Sequence, residues 1–153
     1  MGHLELATEI TAPVVRCFDL SRDIDVHRES MSASGERAIR GITRGQINLG
    51  EEVTWSARHF GLRWQVTSRI TEFDRPSRFV DEMQRGPFSR FRHEHRFESH
   101  GPVTAMVDVV DYSLPLGLAG QIADRLVVGG YLRRLLEARN GFIRDAAESG
   151  RTA

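Results

Sequence analysis

Hydrophobic and polar residues alternate along most of the chain, which is the pattern of half-buried β-strands. In the first segment, Leu4, Leu6 and Ile10 occupy even positions, with charged residues between them. The alternating segments follow one another through short turns rich in glycine and proline, without room for a crossover helix, so they must pair antiparallel. The pattern predicts seven antiparallel strands, at residues 3–11, 36–43, 51–60, 62–73, 78–86, 88–99 and 103–114.

Helical spacing of apolar residues appears after the first strand and again at the end of the chain. Two short helices are predicted at about residues 13–21 and 24–30. One continuous helix, on the order of 45 Å long, is predicted over residues 118–147. Its charged residues, including Arg139, are expected mostly on faces turned away from the sheet,. The Gly129-Gly130 pair indicates close packing or a kink, or alternatively room for a bound molecule,.

These elements predict an α+β fold in which a curved seven-stranded antiparallel sheet wraps around a long C-terminal helix. Long strands twist and curl, so the concave face of such a sheet is wider than one helix of about 10 Å can fill. We therefore expect a cavity between the sheet and the helix. Cavities of this kind are lined by apolar and aromatic side chains with a few polar groups.

The strand predicted at residues 88–99 gives the clearest view of what faces this interior. One parity carries Phe91, His93, His95 and Phe97, whereas the other carries only charged residues, which are expected to face water,. Both histidines should therefore point inward. The same parity argument, applied to the other strands, places these side chains on the concave face: Trp55, Trp64, Phe79, Asp81, Met83, Met106, Asp108 and Tyr112.

The length of the chain, its net charge and its lack of lysine exclude several classes of function. At 153 residues and 17.3 kDa the chain fits one domain, assigned to residues 1–148 with a frayed tail at 149–153,. Lys plus Arg total 21 and Asp plus Glu total 21, so no net field attracts nucleic acid or an anionic membrane,. Every basic residue is arginine, which excludes Schiff-base, pyridoxal-phosphate and P-loop lysine chemistry,.

The single cysteine, Cys17, can form neither an internal disulfide nor a multi-cysteine zinc site, which favours a reducing compartment,. No apolar run approaches the length of a membrane span, and the first residues lack the features of a signal peptide,. We expect a soluble cytoplasmic protein without stable membrane insertion.

The order of elements and the run PSRFVDEMQRGPFSRFRHEHRFE at 76–98 resemble the START-like (SRPBCC) superfamily, which has the helix-grip fold. This superfamily includes the major birch pollen allergen, polyketide cyclase/dehydrase-like proteins and small bacterial ligand-binding domains. The resemblance covers roughly residues 3–147. It implies an elongated pocket between the sheet and the long helix that takes lipids, polyketides or other apolar small molecules. It carries over no shared catalytic motif.

The His93 and His95 pair admits three interpretations. Their i, i+2 spacing puts both imidazoles on one side of a strand, as a metal site in a β protein requires, with Asp81, Asp108 or His59 as a third ligand,. A partly buried imidazole beside a carboxylate can instead act as a general acid or base. Most buried histidines simply form hydrogen bonds with neighbouring groups. We predict neither a resident metal nor another cofactor.

The sequence thus predicts a protein that binds an apolar or amphipathic small molecule, lipid or polyketide-like, in an internal cavity. Ligand contacts are assigned to Trp55, Trp64, Phe79, Asp81, Met83, Phe91, Phe97, Met106 and Tyr112. The alternative is a cyclase or dehydratase that transfers protons through His93, His95 and Asp108,. A third possibility is a partner-binding module without chemistry of its own, and a homodimer is compatible with each. The ligand's identity and the occurrence of any reaction stay open at this stage.

Overall fold

The computed structural model describes residues 1–150 and contains one seven-stranded antiparallel sheet in the order β1-β7-β6-β5-β4-β3-β2. The chain enters at one edge, crosses to the other through two short helices, and returns through consecutive hairpins. The predicted sheet is confirmed. Its strands are β1 Gly2–Ile10, β2 Arg37–Gly41, β3 Glu52–His59, β4 Leu62–Asp74, β5 Arg78–Arg85, β6 Arg90–His100 and β7 Val103–Ser113.

The two short helices after β1 are also confirmed, as α1 Val14–Ser21 and α2 Ile24–Ser30. The side chain of Asp23 begins α2 by accepting hydrogen bonds from the backbone N–H groups of the next helical residues,. The edge strand β2 is shorter than predicted, and its register with β3 shifts between Ala38 and Arg40,.

The C-terminal helix covers the predicted residues, but it is not one regular α-helix. It comprises α3 Gly117–Ala123, a π-helical turn Asp124–Val128 and α4 Gly129–Glu148. A Cβ atom at Gly129 would lie 3.1 Å from the hydroxyl oxygen of Tyr112, whereas one at Gly130 would have no neighbour within 4 Å. Close packing therefore explains only the first of the two glycines.

One end of the space beneath the sheet is solid. Phe18 on α1 is fully buried, and its ring centroid lies 5.2 to 5.4 Å from those of Phe73, Phe79 and Phe97. The last turns of α4 pack against β1 and α1, where Ile143 is buried. These contacts fix the helices to the concave face at this end.

The outer face of β6 differs from the sequence expectation at one position. Glu94 is buried on that face, although the whole charged row was expected to face water. Burial opposes its ionisation, but hydrogen bonds from Arg78, Arg96 and Arg92 outweigh this and lower its pKa to about 2,. The expectation was wrong at Glu94 because long arginine side chains cover the carboxylate.

Of the predicted tail at 149–153, residues 151–153 lie outside the described residues, and Ser149 donates a hydrogen bond to the carbonyl of Ala146. Within the described part of the chain, no helix is both long and apolar enough to cross a membrane.

We expect Phe18→Ala to lower the free energy of unfolding by about 3 to 5 kcal/mol, because it leaves a cavity among three aromatic rings. Urea unfolding measures this cost. Val15→Ala on the same helix is the matched control, since Val15 is exposed, and should change stability by less than about 0.5 kcal/mol. Equal effects from the two variants would contradict the placement of Phe18 in the core.

Candidate functional site

A cavity of about 650 Å³ lies between the concave face of the sheet and the C-terminal helix. Most of its lining is apolar. The sheet contributes Trp55, Trp64, Val66, Phe79, Phe91 and Val110, and the helix contributes Ala119, Ala123, Tyr131, Leu132, Leu135 and Leu136. Asp81, His93, His95 and Arg139 bring polar groups to one part of the wall, which we call the polar floor.

The structure divides the predicted site residues into two groups. Seven of them line the cavity: Trp55, Trp64, Phe79, Asp81, Phe91, His93 and His95. The other five share the concave face but lie behind or beside the lining: Met83, Phe97, Met106, Asp108 and Tyr112. The alternation of side chains therefore identified which face of each strand is concave. Whether a side chain on that face reaches the cavity depends on the helices and side chains that pack against it.

Packing explains the second group. Phe97 contacts Phe18 in the solid core, and the sulfur of Met106, also buried there, accepts a hydrogen bond of 3.5 Å from the Ser21 hydroxyl. The hydroxyl of Tyr112 donates to Asp124 in the π-helical turn, and burial together with this hydrogen bond raises its pKa. The sulfur of Met83 occupies the position a Cβ atom at Gly86 would need.

Asp108 has no solvent exposure and organises the polar floor from behind. Its carboxylate lies 2.7 Å from Nε2 of His93, and accepts hydrogen bonds of 2.6 Å from Asn140 and 3.4 Å from Arg139. Burial alone would raise its pKa, but hydrogen bonds from His93 and His95 hold that pKa well below its usual value,. Asp108 is therefore ionised at neutral pH.

His93 presents one ring nitrogen to Asp108 and the other to the cavity. Burial and the neighbouring His95 ring lower the pKa of His93, so its imidazole is neutral at pH 7,. Because Asp108 is an acceptor, the proton resides on Nε2 and Nδ1 is a bare acceptor,. Nδ1 has no hydrogen-bond partner among the described residues and is not enclosed by protein atoms, so it is open to the cavity.

His95 lies beneath His93, with ring centroids 3.7 Å apart, and its other face stacks on Phe79 at 4.1 Å. Its Nε2 lies 2.8 Å from Oδ2 of Asp81, and its Nδ1 lies 3.3 Å from Asp108. Burial opposes ionisation of Asp81, but the hydrogen bond from His95 and the charges nearby lower its pKa. The ring of His95 is thus held between two carboxylates.

Arg139 and Asn140 complete this network, and the sequence pattern assigned neither of them to the site. Arg139 is buried and donates to the carbonyl oxygen of Ser21 at 3.2 Å, so its expected placement away from the sheet was wrong. The signal available was its spacing, three residues after Leu136 and four before Ile143, which places it on the inward side of α4,.

The polar floor also contains three potential metal donors. Atoms of Asp81, His93 and His95 lie within 4.8 Å of one another, and two imidazoles with a carboxylate suit several divalent cations,. A cation there would displace the proton shared by His95 and Asp81 and lie close to the Arg139 guanidinium, which opposes it. His59, the other candidate for a third ligand, instead lies 2.6 Å from the Tyr131 hydroxyl.

Neither a protein-family model nor a curated protein matches this chain. Solved structures do. The protein TTHA0849 from Thermus thermophilus has a TM-score of 0.74 at 18% identity, covering 95% of this chain and 99% of that one. A START superfamily protein from Mycobacterium smegmatis gives 0.71 at 14% identity, covering 94% and 97%. Major latex-like protein 151 from Panax ginseng gives 0.71 at 16%, covering 95% and 97%. The chain has the START-like helix-grip fold.

Because His93 is buried in its neutral form, the free energy of unfolding depends on pH. Its pKa is lower in the folded than in the unfolded state, so between the two values the unfolded chain binds more protons and stability falls as pH drops below about 6.5,. The carboxylates Asp81 and Asp108, whose pKa values are also lowered, add losses only near and below about 3.8,.

We therefore expect the urea midpoint of the wild type to fall between pH 6.5 and 5, and His93→Gln to reduce that slope. Glutamine can still donate to Asp108 but does not titrate. His100→Gln on the same strand is the control, because His100 is exposed, and should retain the slope. A slope unchanged in His93→Gln would contradict the neutral state assigned to His93.

Proposed function

We propose that this protein binds an apolar or amphipathic small molecule, such as a lipid or a polyketide-like compound, in the cavity between the sheet and the C-terminal helix. One observation carries the proposal: the cavity of about 650 Å³ has mostly apolar walls, and the polar floor brings Asp81, His93, His95 and Arg139 together on one part of them. Ligand sites commonly occupy about 300 to 1,000 Å³ and combine apolar walls with a few placed polar groups.

The energetics favour such a ligand. Transfer of apolar surface out of water contributes about 25 cal/mol per Å², and the aromatic walls formed by Trp55, Trp64, Phe79 and Phe91 offer large contact areas,. The similarity of the chain to solved structures, one of them a START superfamily protein, supports the fold that encloses this cavity.

A larger side chain in the cavity should weaken binding. We expect wild-type protein to bind the neutral fluorescent probe N-phenyl-1-naphthylamine, and Leu136→Trp to weaken binding at least tenfold, because the new indole would occupy space that Leu136 borders. Fluorescence titration measures both. Arg133→Trp places the same side chain on the exposed face of the same helix and should bind like the wild type.

Mass spectrometry of the purified protein provides an independent check, since a copurified apolar molecule would indicate a natural occupant. Absence of probe binding to the folded wild type, or equal binding by Leu136→Trp, would contradict the proposed cavity function.

A second candidate is an enzyme of the cyclase or dehydratase type that uses proton transfer. The observation in its favour is the pairing of His93 with Asp108, which orients the ring and leaves Nδ1 as an acceptor facing the cavity,. In such a reaction Nδ1 would accept a proton from a substrate carbon or hydroxyl, and Asp108 would stabilise the resulting imidazolium.

Deuterium exchange tests this second candidate. In D₂O, the wild type should accelerate exchange into the methyl group of 2-acetylnaphthalene, since a positioned base contributes about 10²- to 10⁴-fold. Nuclear magnetic resonance follows the exchange. His93→Gln should lose the acceleration and His100→Gln should keep it. Because the pKa of His93 is lowered, the rate should stay constant down to about pH 6.5 and decline only below it,. Equal rates with and without the wild-type protein would exclude this activity toward the probe.

A further inference from the structure

Two hydrogen-bond acceptors on the polar floor are free to meet a ligand. Nδ1 of His93 is unprotonated and open to the cavity. Asp81, which is half-buried, uses only its Oδ2 atom with His95 and contributes a second acceptor oxygen to the same wall. A ligand that meets this surface through a donor gains a hydrogen bond, whereas one that meets it through an acceptor leaves both sides unpaired.

The charges around His93 point the same way. The groups that face it are Asp81 from β5, His95 from β6, Asp108 from β7 and Arg139 from α4. These groups include two carboxylates and one guanidinium. Both terminal nitrogens of Arg139 already donate to protein acceptors: Nη1 donates to Asp108 and Asn140, and Nη2 donates to the carbonyl oxygen of Ser21. The terminal nitrogens of Arg139 are therefore committed to the network, whereas the carboxylates of Asp81 and Asp108 repel an anionic ligand,.

We propose that the cavity selects an uncharged apolar molecule bearing a hydroxyl group, an alcohol or phenol, whose O–H donates to Nδ1 of His93, and that it discriminates against carboxylates. This inference rests on the proposed cavity function and specifies its ligand class. Asp108 acts here as a positioning residue, because its contact with Nε2 fixes the tautomer that leaves Nδ1 free,.

Competition among three matched compounds tests the selection. We would displace bound N-phenyl-1-naphthylamine with 1-decanol, 1-methoxydecane or decanoate at pH 8. The alcohol should bind about tenfold more tightly than the ether, because only the alcohol donates a hydrogen bond. The ether carries one more carbon, so apolar burial alone would favour it. Decanoate should bind more weakly than either compound.

His93→Phe assigns the selection to this residue, since phenylalanine keeps a ring but has no acceptor nitrogen. The alcohol and the ether should then differ by less than twofold. His100→Phe adds the same ring at an exposed position of β6 and should retain the tenfold preference. Circular dichroism verifies that both variants fold, and the wild-type comparison stands without any variant.

The outcomes separate this inference from the function on which it rests. Probe binding without an alcohol preference in the wild type, or tightest binding by decanoate, overturns the inference and leaves the cavity function intact. A preference that persists in His93→Phe overturns the role of Nδ1. Failure of the folded wild type to bind the probe or any of the three compounds overturns both proposals.

Discussion

The carboxylate of Asp108 is the constraint on which the site depends. A buried ionised carboxylate costs several kcal/mol unless it is paired and hydrogen-bonded, and this one has no contact with solvent. His93, Asn140 and Arg139 surround it. Because these partners lie on β6 and α4, the same carboxylate that requires them also fixes how the helix is rotated over the sheet. The contact between Asp108 and Nε2 also orients the ring of His93, so that Nδ1 points away from the carboxylate, and it fixes the tautomer that leaves Nδ1 unprotonated,.

The cavity exists because the elements on the concave face fill it unevenly. At one end Phe18 and Ile143 close the space between the sheet and the helices. Farther along, the helix borders the cavity with Ala119, Ala123, Leu132 and Leu136, none of which is buried, and Leu118 and Leu126 are exposed. Because the C-terminal helix carries large buried side chains only near its end, a hollow remains over the rest of its length.

Much of this architecture was predictable from local pattern. Alternation along β6 determined which face carries His93, because side chains on a strand change sides at every residue. Whether a side chain on that face reaches the cavity was not predictable in the same way. Phe97 and Tyr112 lie on the same face of the sheet but outside the cavity lining, because α1 packs on Phe97 and the π-helical turn packs on Tyr112. The burial of Arg139 was unpredictable for a related reason. A charged residue on a helix is expected to face water unless it has a buried partner, and the partner here, Asp108, lies on a distant strand,. Partners of this kind depend on contacts between distant segments.

Ligand binding and proton transfer would both use Nδ1 of His93. The acidity of the ligand group that contacts this nitrogen decides which of the two occurs. An alcohol that donates to Nδ1 of His93 keeps its proton, because the lowered pKa of His93 makes the imidazole a weaker base than usual. A substrate hydroxyl or carbon acid must come closer in acidity before the proton moves. The burial that keeps His93 neutral, and therefore available as an acceptor, also reduces its power as a base. On this balance the polar floor is better suited to holding a hydroxyl than to deprotonating one, which is why binding is the primary proposal and proton transfer the second.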